Sequence, residues 1–432
     1  MTSEIVIMNS DCIAVAADSA ATLTEKKIYT ANKIFTLSKF HPVGIMFYGS
    51  SSITSVPAET LVKEYRKRLG DHYFETLEEY GMSFLNFLNT GCPSIEDSYE
   101  SIIPDESKNV AIMNLFERLL WIIETKVKNA VLESLKAGNE PDRVTIENYF
   151  NEIIEEQLKD VSKSIPRGSR LKVRKVTKIL NDIIDDREWA HDYKPILLPL
   201  TAKIISASKK LFANMIASEK HLPFMYTGIV IMGFGENECY PSCMEYIVDS
   251  CIIDNEIKVE KKETRKIGPN SRSFVEVFAQ KDVAKTFLEG ASPKLVGGIT
   301  KTFEEVLNDA TMIVAAKLIE KKEISEEDIK RNNVKLMETL LENIKSHQKK
   351  FIDPIKDAVA FLPKDEMAQM AESLVNITSL RLRVSRESET VGGPIDVAVI
   401  SKGDGFIWIK RKHYFNLESN PHFVEKYYDV GD

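Results

Sequence analysis

Short strand-type runs stand at both ends of this chain, and a long stretch of helical periodicity separates them. Up to about residue 56, apolar runs alternate with turns: Glu4 to Met8, Cys12 to Ala17, Lys33 to Leu37 and Val43 to Tyr48. Their length and β-branched content predict strands. The strand signal returns only at Met225 and closes with Ile395 to Ser401 and Phe406 to Lys410. Any sheet must therefore be assembled from segments far apart in the chain.

Between these ends the apolar period lengthens to that of a helix. Pro57 opens a helix with Leu61, Val62, Tyr65 and Leu69 on one face, and a second runs from about Glu75 to Leu88. From Asn109 to Leu135, Leu115, Leu119, Ile122, Ile123, Val127 and Ala130 recur at helical spacing. Thr145 to Leu158, Val173 to Ile184 and Pro199 to Ala217 continue the pattern. A solvated linker would not carry such periodicity. Beyond Met225, Tyr226 to Phe234 reads as a buried strand. Tyr246 to Ile253 and Glu256 to Val259 read as a hairpin turning at Asp254-Asn255. Gln280 to Gly290, Lys294 to Glu320, Ser325 to Lys345 and Lys364 to Val384 read as helices. Pro293, Pro354 and Pro363 are expected between them.

Three residues near the start suggest chemistry. Removal of Met1 would leave Thr2 as the amino terminus. A threonine with a free α-amine carries its own base, because that amine titrates at about pH 8. Asp18 closes the run from Cys12, and Lys33 stands at the mouth of the next run. A lysine beside the nucleophile lowers the pKa of the amine and stabilises an alkoxide, and a carboxylate holds that lysine. Each residue also has an ordinary explanation. Thr after Met is common, Asp18 alone could start a turn, Lys33 alone is a solvated lysine, and Gly49 alone marks a turn.

Taken together, these spacings resemble the proteasome β-type subunits of the N-terminal-nucleophile (Ntn) hydrolases. On that resemblance Thr2, Asp18 and Lys33 take the places of the nucleophile, its acidic partner and its lysine. Gly49, in Met46-Phe47-Tyr48-Gly49-Ser50-Ser51, takes the place of the glycine whose N–H helps form the oxyanion hole. The far end resembles the same family. Arg386-Glu387 precedes Val391-Gly392-Gly393-Pro394-Ile395-Asp396, and Gly403-Asp404-Gly405 follows. The family's Asp after Arg is Glu387 here, an orienting carboxylate, and its Ser before the glycines is Val391.

The resemblance implies a four-layer αββα Ntn-hydrolase sandwich, an α+β fold. It divides the chain into a first core half (1–90), an all-helical insertion (91–222) and a second core half (223–432). The implied activity is a threonine peptidase or amidohydrolase acting on a peptide or protein substrate, as a homo-oligomer in the cytoplasm. The alternative is a catalytically silent scaffold that binds a partner protein through the helices. Whether an ATPase partner exists does not follow from these motifs.

Bulk properties narrow the classes. A net charge of −8 argues against a general nucleic-acid binder. No apolar stretch reaches the roughly 20 residues of a membrane span, and no signal-peptide pattern opens the chain. Five cysteines at irregular spacing predict reduced thiols. Cys239 and Cys243 lack a second pair at zinc spacing, so neither metal nor cofactor is expected. Gly233-Phe234-Gly235 lacks the third glycine and the βαβ context of a phosphate loop.

Overall fold

The computed structural model describes residues 3–24, 27–90, 103, 105–166, 170–183, 195–197, 199–218, 226–253, 256–320, 325–384, 392–413, 415–416 and 418–422. The fold mixes α-helices with antiparallel sheets.

The first sheet begins with the apolar runs at the start of the chain. β1 (Ser3–Asn9) and β2 (Cys12–Asp18) form a hairpin. Asn9 Oδ1 accepts from the amides of Asp11 (3.0 Å) and Cys12 (3.1 Å), which fixes the turn through a side chain. The far end of the chain supplies β12 (Ser273–Ala279), β13 (Ile395–Ser401) and β14 (Gly405–Lys410). The strand order is β12-β1-β2-β13-β14, antiparallel throughout. β1 and β2 are buried along their whole length, so both faces of this sheet are covered.

The second sheet has the order β11-β10-β9-β6-β5, also antiparallel. Its strands are β5 (Ile34–Thr36), β6 (Val43–Gly49), β9 (Tyr226–Gly233), β10 (Ser242–Ile253) and β11 (Glu256–Lys266). Period-two alternation sends β-strand side chains to opposite faces. Val6, Met8, Ile13, Val15 and Ala17 of the first sheet accordingly meet Met46, Tyr48, Val230 and Met232 of the second.

The outer faces are closed by helices. On the second sheet, Ile45, Phe47, Ile229, Ile231, Met244 and Tyr246 pack with Leu61 and Tyr65 of α1 (Ala58–Leu69) and Phe84 and Phe87 of α2 (Leu77–Thr90). On the first sheet, Ile5, Ile7, Ala14, Ala16 and Val397 pack with α7 (Asp282–Glu289) and α10 (Lys364–Val384) through Ala284, Leu288, Ala371 and Leu374. The small side chains of Ala14 and Ala16 let α10 lie close to β2.

Four further helices bury an apolar cluster of their own. They are α3 (Asp105–Lys136), α4 (Arg143–Ser162), α5 (Arg170–Ile183) and α6 (Ala202–Ala217). Leu115, Phe116, Leu119, Phe150, Val176, Leu180 and Phe212 lie at its centre. Asp142 and Thr201 cap α4 and α6 by accepting from the amides of Thr145 (2.8 Å) and Ile204 (3.4 Å).

The other helical pair is long: α8 (Pro293–Glu320) and α9 (Glu326–Val359). Asn333 of α9 donates to Asn308 Oδ1 (2.9 Å) and Thr311 Oγ1 (3.0 Å) of α8. Here the expectation for Pro354 is corrected, because it lies inside α9. A proline removes one N–H from the ladder, and the helix continues to Val359, which packs under the first sheet and thereby holds its last turns. Strands β12, β3 (Ala20–Thr24), β4 (Lys27–Thr30), β7 (Ser52–Ile53) and β8 (Val56–Pro57) are additions to the sequence reading. The Asp254-Asn255 turn lies outside the described residues.

Candidate active site

Asp18 ends β2, and its side chain is closed off from solvent. It accepts four hydrogen bonds. Oδ1 takes the backbone N–H of Ser3 (2.9 Å) and the ammonium of Lys33 (2.7 Å). Oδ2 takes the N–H of Gly392 (2.9 Å) and of Ala20 (3.2 Å). One carboxylate thus gathers the first strand, the entry to β13 and the segment before β5. The Gly392 carbonyl accepts from Ser19 N (3.2 Å) and Ala20 N (3.0 Å), closing the loop around it.

Lys33 is placed by its backbone. Its carbonyl accepts from Phe47 N at 3.0 Å, which docks it against β6. The neighbouring Asn32 donates to Glu59 Oε2 of α1 at 3.0 Å. The Lys33 side chain is 8% exposed. Burial lowers its pKa from the ordinary lysine value, and the Asp18 carboxylate, with a smaller contribution from the Glu4 carboxyl, works against that shift. This buried ion pair presents its ammonium end with little water to screen it.

Gly49 terminates β6 two residues past Phe47, at the same strand end as Lys33. Its φ of +83° is a left-handed conformation, and a Cβ there would stand 2.6 Å from the carbonyl oxygen of Tyr226. Only glycine suits both conditions. Ser50 N donates to the same carbonyl at 3.2 Å.

Asp18 and Lys33 are therefore in direct contact, with Gly49 at the neighbouring strand end. Thr2 and Glu387 lie outside the described residues. Residues that the sequence reading did not single out also stand here. The Ser3 and Ala20 amides hold Asp18, and Glu4 is wholly buried with neither carboxyl oxygen partnered among the described residues. Burial pushes the Glu4 carboxyl well above the usual carboxylate range. Lys33 pulls it down, and Asp18 pushes it up. One signal for Glu4 was available: it shares strand parity with the apolar Val6 and Met8, which points it inward.

Deeper between the sheets, the Tyr48 hydroxyl donates to Glu245 Oε1 on β10. Tyr48 reaches across β9 because Gly228 lies opposite it; a Cβ on Gly228 would come within 2.1 Å of the Tyr48 ring. Burial, and then the contact with Glu245, raise the Tyr48 pKa. Among the described residues, no group of three or more His, Cys, Asp or Glu side chains is placed to hold a metal ion. None of the described helices is long and apolar enough to cross a membrane.

No known family profile matches the chain, and no curated protein matches it. Among solved structures it is similar to Anbu (ancestral beta-subunit) from Yersinia bercovieri, with 8% identity, 100% of this chain and 98% of that chain covered, and a TM-score of 0.30. A second is the helical assembly of the Anbu complex from Pseudomonas aeruginosa, with 8% identity, coverage of 99% and 95%, and a TM-score of 0.30. A third is Anbu from Hyphomicrobium sp. strain MC1, with 8% identity, coverage of 100% and 98%, and a TM-score of 0.30.

The resemblance to proteasome β-type subunits is corrected by these results. No known family profile, that of the proteasome β-type subunits included, matches the sequence. The physical reason is that the resemblance rests on a few short motifs at the chain ends. Strand ends closed by Asp, Lys or Gly recur wherever a buried sheet needs a turn or a satisfied charge.

Proposed function

We propose that this chain is an amide hydrolase whose nucleophile is the Thr2 hydroxyl, freed for catalysis when Thr2 becomes the amino terminus. The observation that carries this reading is the sharing of Asp18 Oδ1 by Ser3 N and Lys33 Nζ. Thr2 is joined covalently to that Ser3 amide, so the Lys33 ammonium is bound to the same carboxylate as the next peptide group along.

In the proposed reaction the Thr2 α-amine takes the hydroxyl proton, directly or through a water, as oxygen attacks the substrate carbonyl. The C–N bond of the substrate breaks, the amine leaves with that proton, and an ester to Thr2 remains. Water then hydrolyses the ester and regenerates Thr2. Lys33 stabilises the developing alkoxide, and Asp18 holds Lys33. The Gly49 N–H is assigned to the oxyanion. Glu387 is assigned as an orienting carboxylate. Peptides or other small amides are the proposed substrate class.

The layering of helices, sheet, sheet and helices supports reading the core as an αββα sandwich made from residues 1–90 and 223–432. Residues 91–222 are then an insertion, whose separate apolar cluster supports that division. Homo-oligomerisation and a cytoplasmic location belong to the same proposal.

The test is turnover of a fluorogenic peptide panel by wild type, Thr2→Ala and Thr2→Ser. Loss in Thr2→Ala with partial retention in Thr2→Ser supports the proposal. Undiminished turnover by Thr2→Ala removes Thr2 from the reaction.

A further inference from the structure

One acid between the sheets has no place in the hydrolytic scheme. Glu4 lies on β1, in register with Ala17 of β2 and Phe278 of β12. It shares a face with Val6 and Met8, which pack into the core between the sheets. It is 0% exposed, and neither carboxyl oxygen has a partner among the described residues. A methionine or leucine of similar volume would fill this space without the penalty of burying an unpaired polar group.

The surroundings of Glu4 indicate what the carboxyl does there. Glu4 follows Ser3, whose N–H donates to Asp18 Oδ1 at 2.9 Å, the same oxygen that holds Lys33 Nζ at 2.7 Å, and it stands opposite Ala17, the residue before Asp18; Lys33 and Asp18 are the charges that act on it. From β6, Tyr48 packs its ring 6.1 Å from that of Phe278, the β12 residue opposite Glu4, and commits its hydroxyl to Glu245 of β10, with Tyr226 of β9 beside it. Farther along the same interior stand Cys243 of β10, Arg265 of β11 and Glu276 of β12, and Arg265 pairs with Glu276 at 3.4 Å. Within this set, Lys33 is the cation that acts on Glu4, and it already pairs with Asp18.

We propose that Glu4 is a positioning residue for the Asp18–Lys33 pair: uncharged, it leaves Lys33 on Asp18, and ionised, it divides Lys33 between two carboxylates. The neutral form is favoured by burial, because a second anion beside Asp18 would lack a full counter-charge. The proton on Glu4 and the position of Lys33 are thus linked, and the two groups titrate as a coupled pair. Deprotonating the amine of Thr2 opens the acid limb of activity; ionising Glu4 closes the alkaline limb by weakening the field at the nucleophile. Only this kinetic consequence rests on the proposed hydrolysis.

The experiment uses the full-length protein as wild type, Glu4→Gln and Glu4→Met. Infrared spectra across pH follow the C=O stretch of a neutral carboxylic acid, and nitrogen-15 NMR follows Lys33 Nζ. In wild type, a neutral-acid band is expected at neutral pH. It should vanish on alkaline titration while the Lys33 signal shifts in step. Both changes should be lost in Glu4→Gln and in Glu4→Met, which keeps the apolar packing should Glu4→Gln fail to fold. Where wild type turns over a substrate, the alkaline limb of kcat/KM should move to higher pH in Glu4→Gln. A neutral pH spectrum without an acid band that depends on Glu4 overturns the proposal. So does a Lys33 signal that titrates identically in wild type and variant. An absence of any turnover with both spectroscopic results intact counts against the hydrolytic reading alone.

Discussion

Lys33 Nζ lies 2.7 Å from Asp18 Oδ1, with the two side chains only 8% and 0% exposed. A pair this dry gains little net energy over an apolar pair, yet losing one member leaves the other charged and unsatisfied. Asp18 adds to this by accepting three backbone N–H groups from separate parts of the chain.

Asp18→Ala is therefore expected to destabilise the fold by about 3–5 kcal/mol. Asp18→Asn keeps the shape and should cost less. Urea unfolding followed by circular dichroism checks both. A change in Asp18→Ala no larger than that of a typical surface substitution would contradict the role given to this carboxylate.

The bond from Tyr48 to Glu245 depends on Gly228. Gly228→Ala should displace the Tyr48 ring and cost about 1–3 kcal/mol by overpacking. Tyr48→Phe should cost about 1–3 kcal/mol by leaving a buried Glu245 oxygen without its donor. Because the two variants disturb one contact, the double variant should be less destabilised than the sum of the singles. Thermal denaturation of the three proteins measures that shortfall, and strict additivity would separate the two sites.

The contact between Asp18 and Lys33 was legible in the sequence because Asp18 closes one apolar strand run and Lys33 stands at the mouth of the next, where a buried charge needs a partner. The paired β1 and β2, the helices from Asp105 to Ala217 and the last hairpin were legible from their periodicity. β12 was not: Ser273 to Ala279 alternates Val275 and Val277 with Glu276 beside a charged stretch, and its pairing with β1 is a long-range contact with no local signal. Pro354 was misplaced because local rules end a helix there, whereas packing of Val359 under the first sheet continues it. Glu4 was passed over because a charged residue at the start of a strand usually reads as solvent-facing; only its parity with Val6 and Met8 argues otherwise.

The raised pKa of Glu4 fixes the sign of a stability effect. The folded protein holds the proton more tightly than the unfolded chain, where Glu4 titrates near 4.5. Its contribution is fully present below that pH and is lost as pH rises through the folded-state value. Wild type should thus lose stability on the alkaline side relative to Glu4→Gln, which has nothing to titrate. Urea midpoints measured across a pH series give the comparison. Parallel curves for the two proteins would place the titration elsewhere.

Phe212 lies at the centre of the cluster shared by α3, α4, α5 and α6 and is fully buried. Phe212→Ala should cost about 3–5 kcal/mol, felt first by these helices. Hydrogen exchange should report faster opening of α3 to α6 with β1, β2 and β13 unchanged. Equal acceleration in those strands would show one cooperative unit and count against the proposed division at residues 91–222.

The central claim is that Thr2, beside the Ser3 amide on Asp18, is a nucleophile with a free amine. Intact-mass and peptide mass spectrometry of the protein treated with a β-lactone acylating probe test this most directly. The account predicts a chain that begins at Thr2 and carries a single acyl adduct on Thr2. That adduct should be absent in Thr2→Ala and strongly reduced in Lys33→Ala. A chain that retains Met1 throughout, or an adduct that persists in Thr2→Ala, would contradict it.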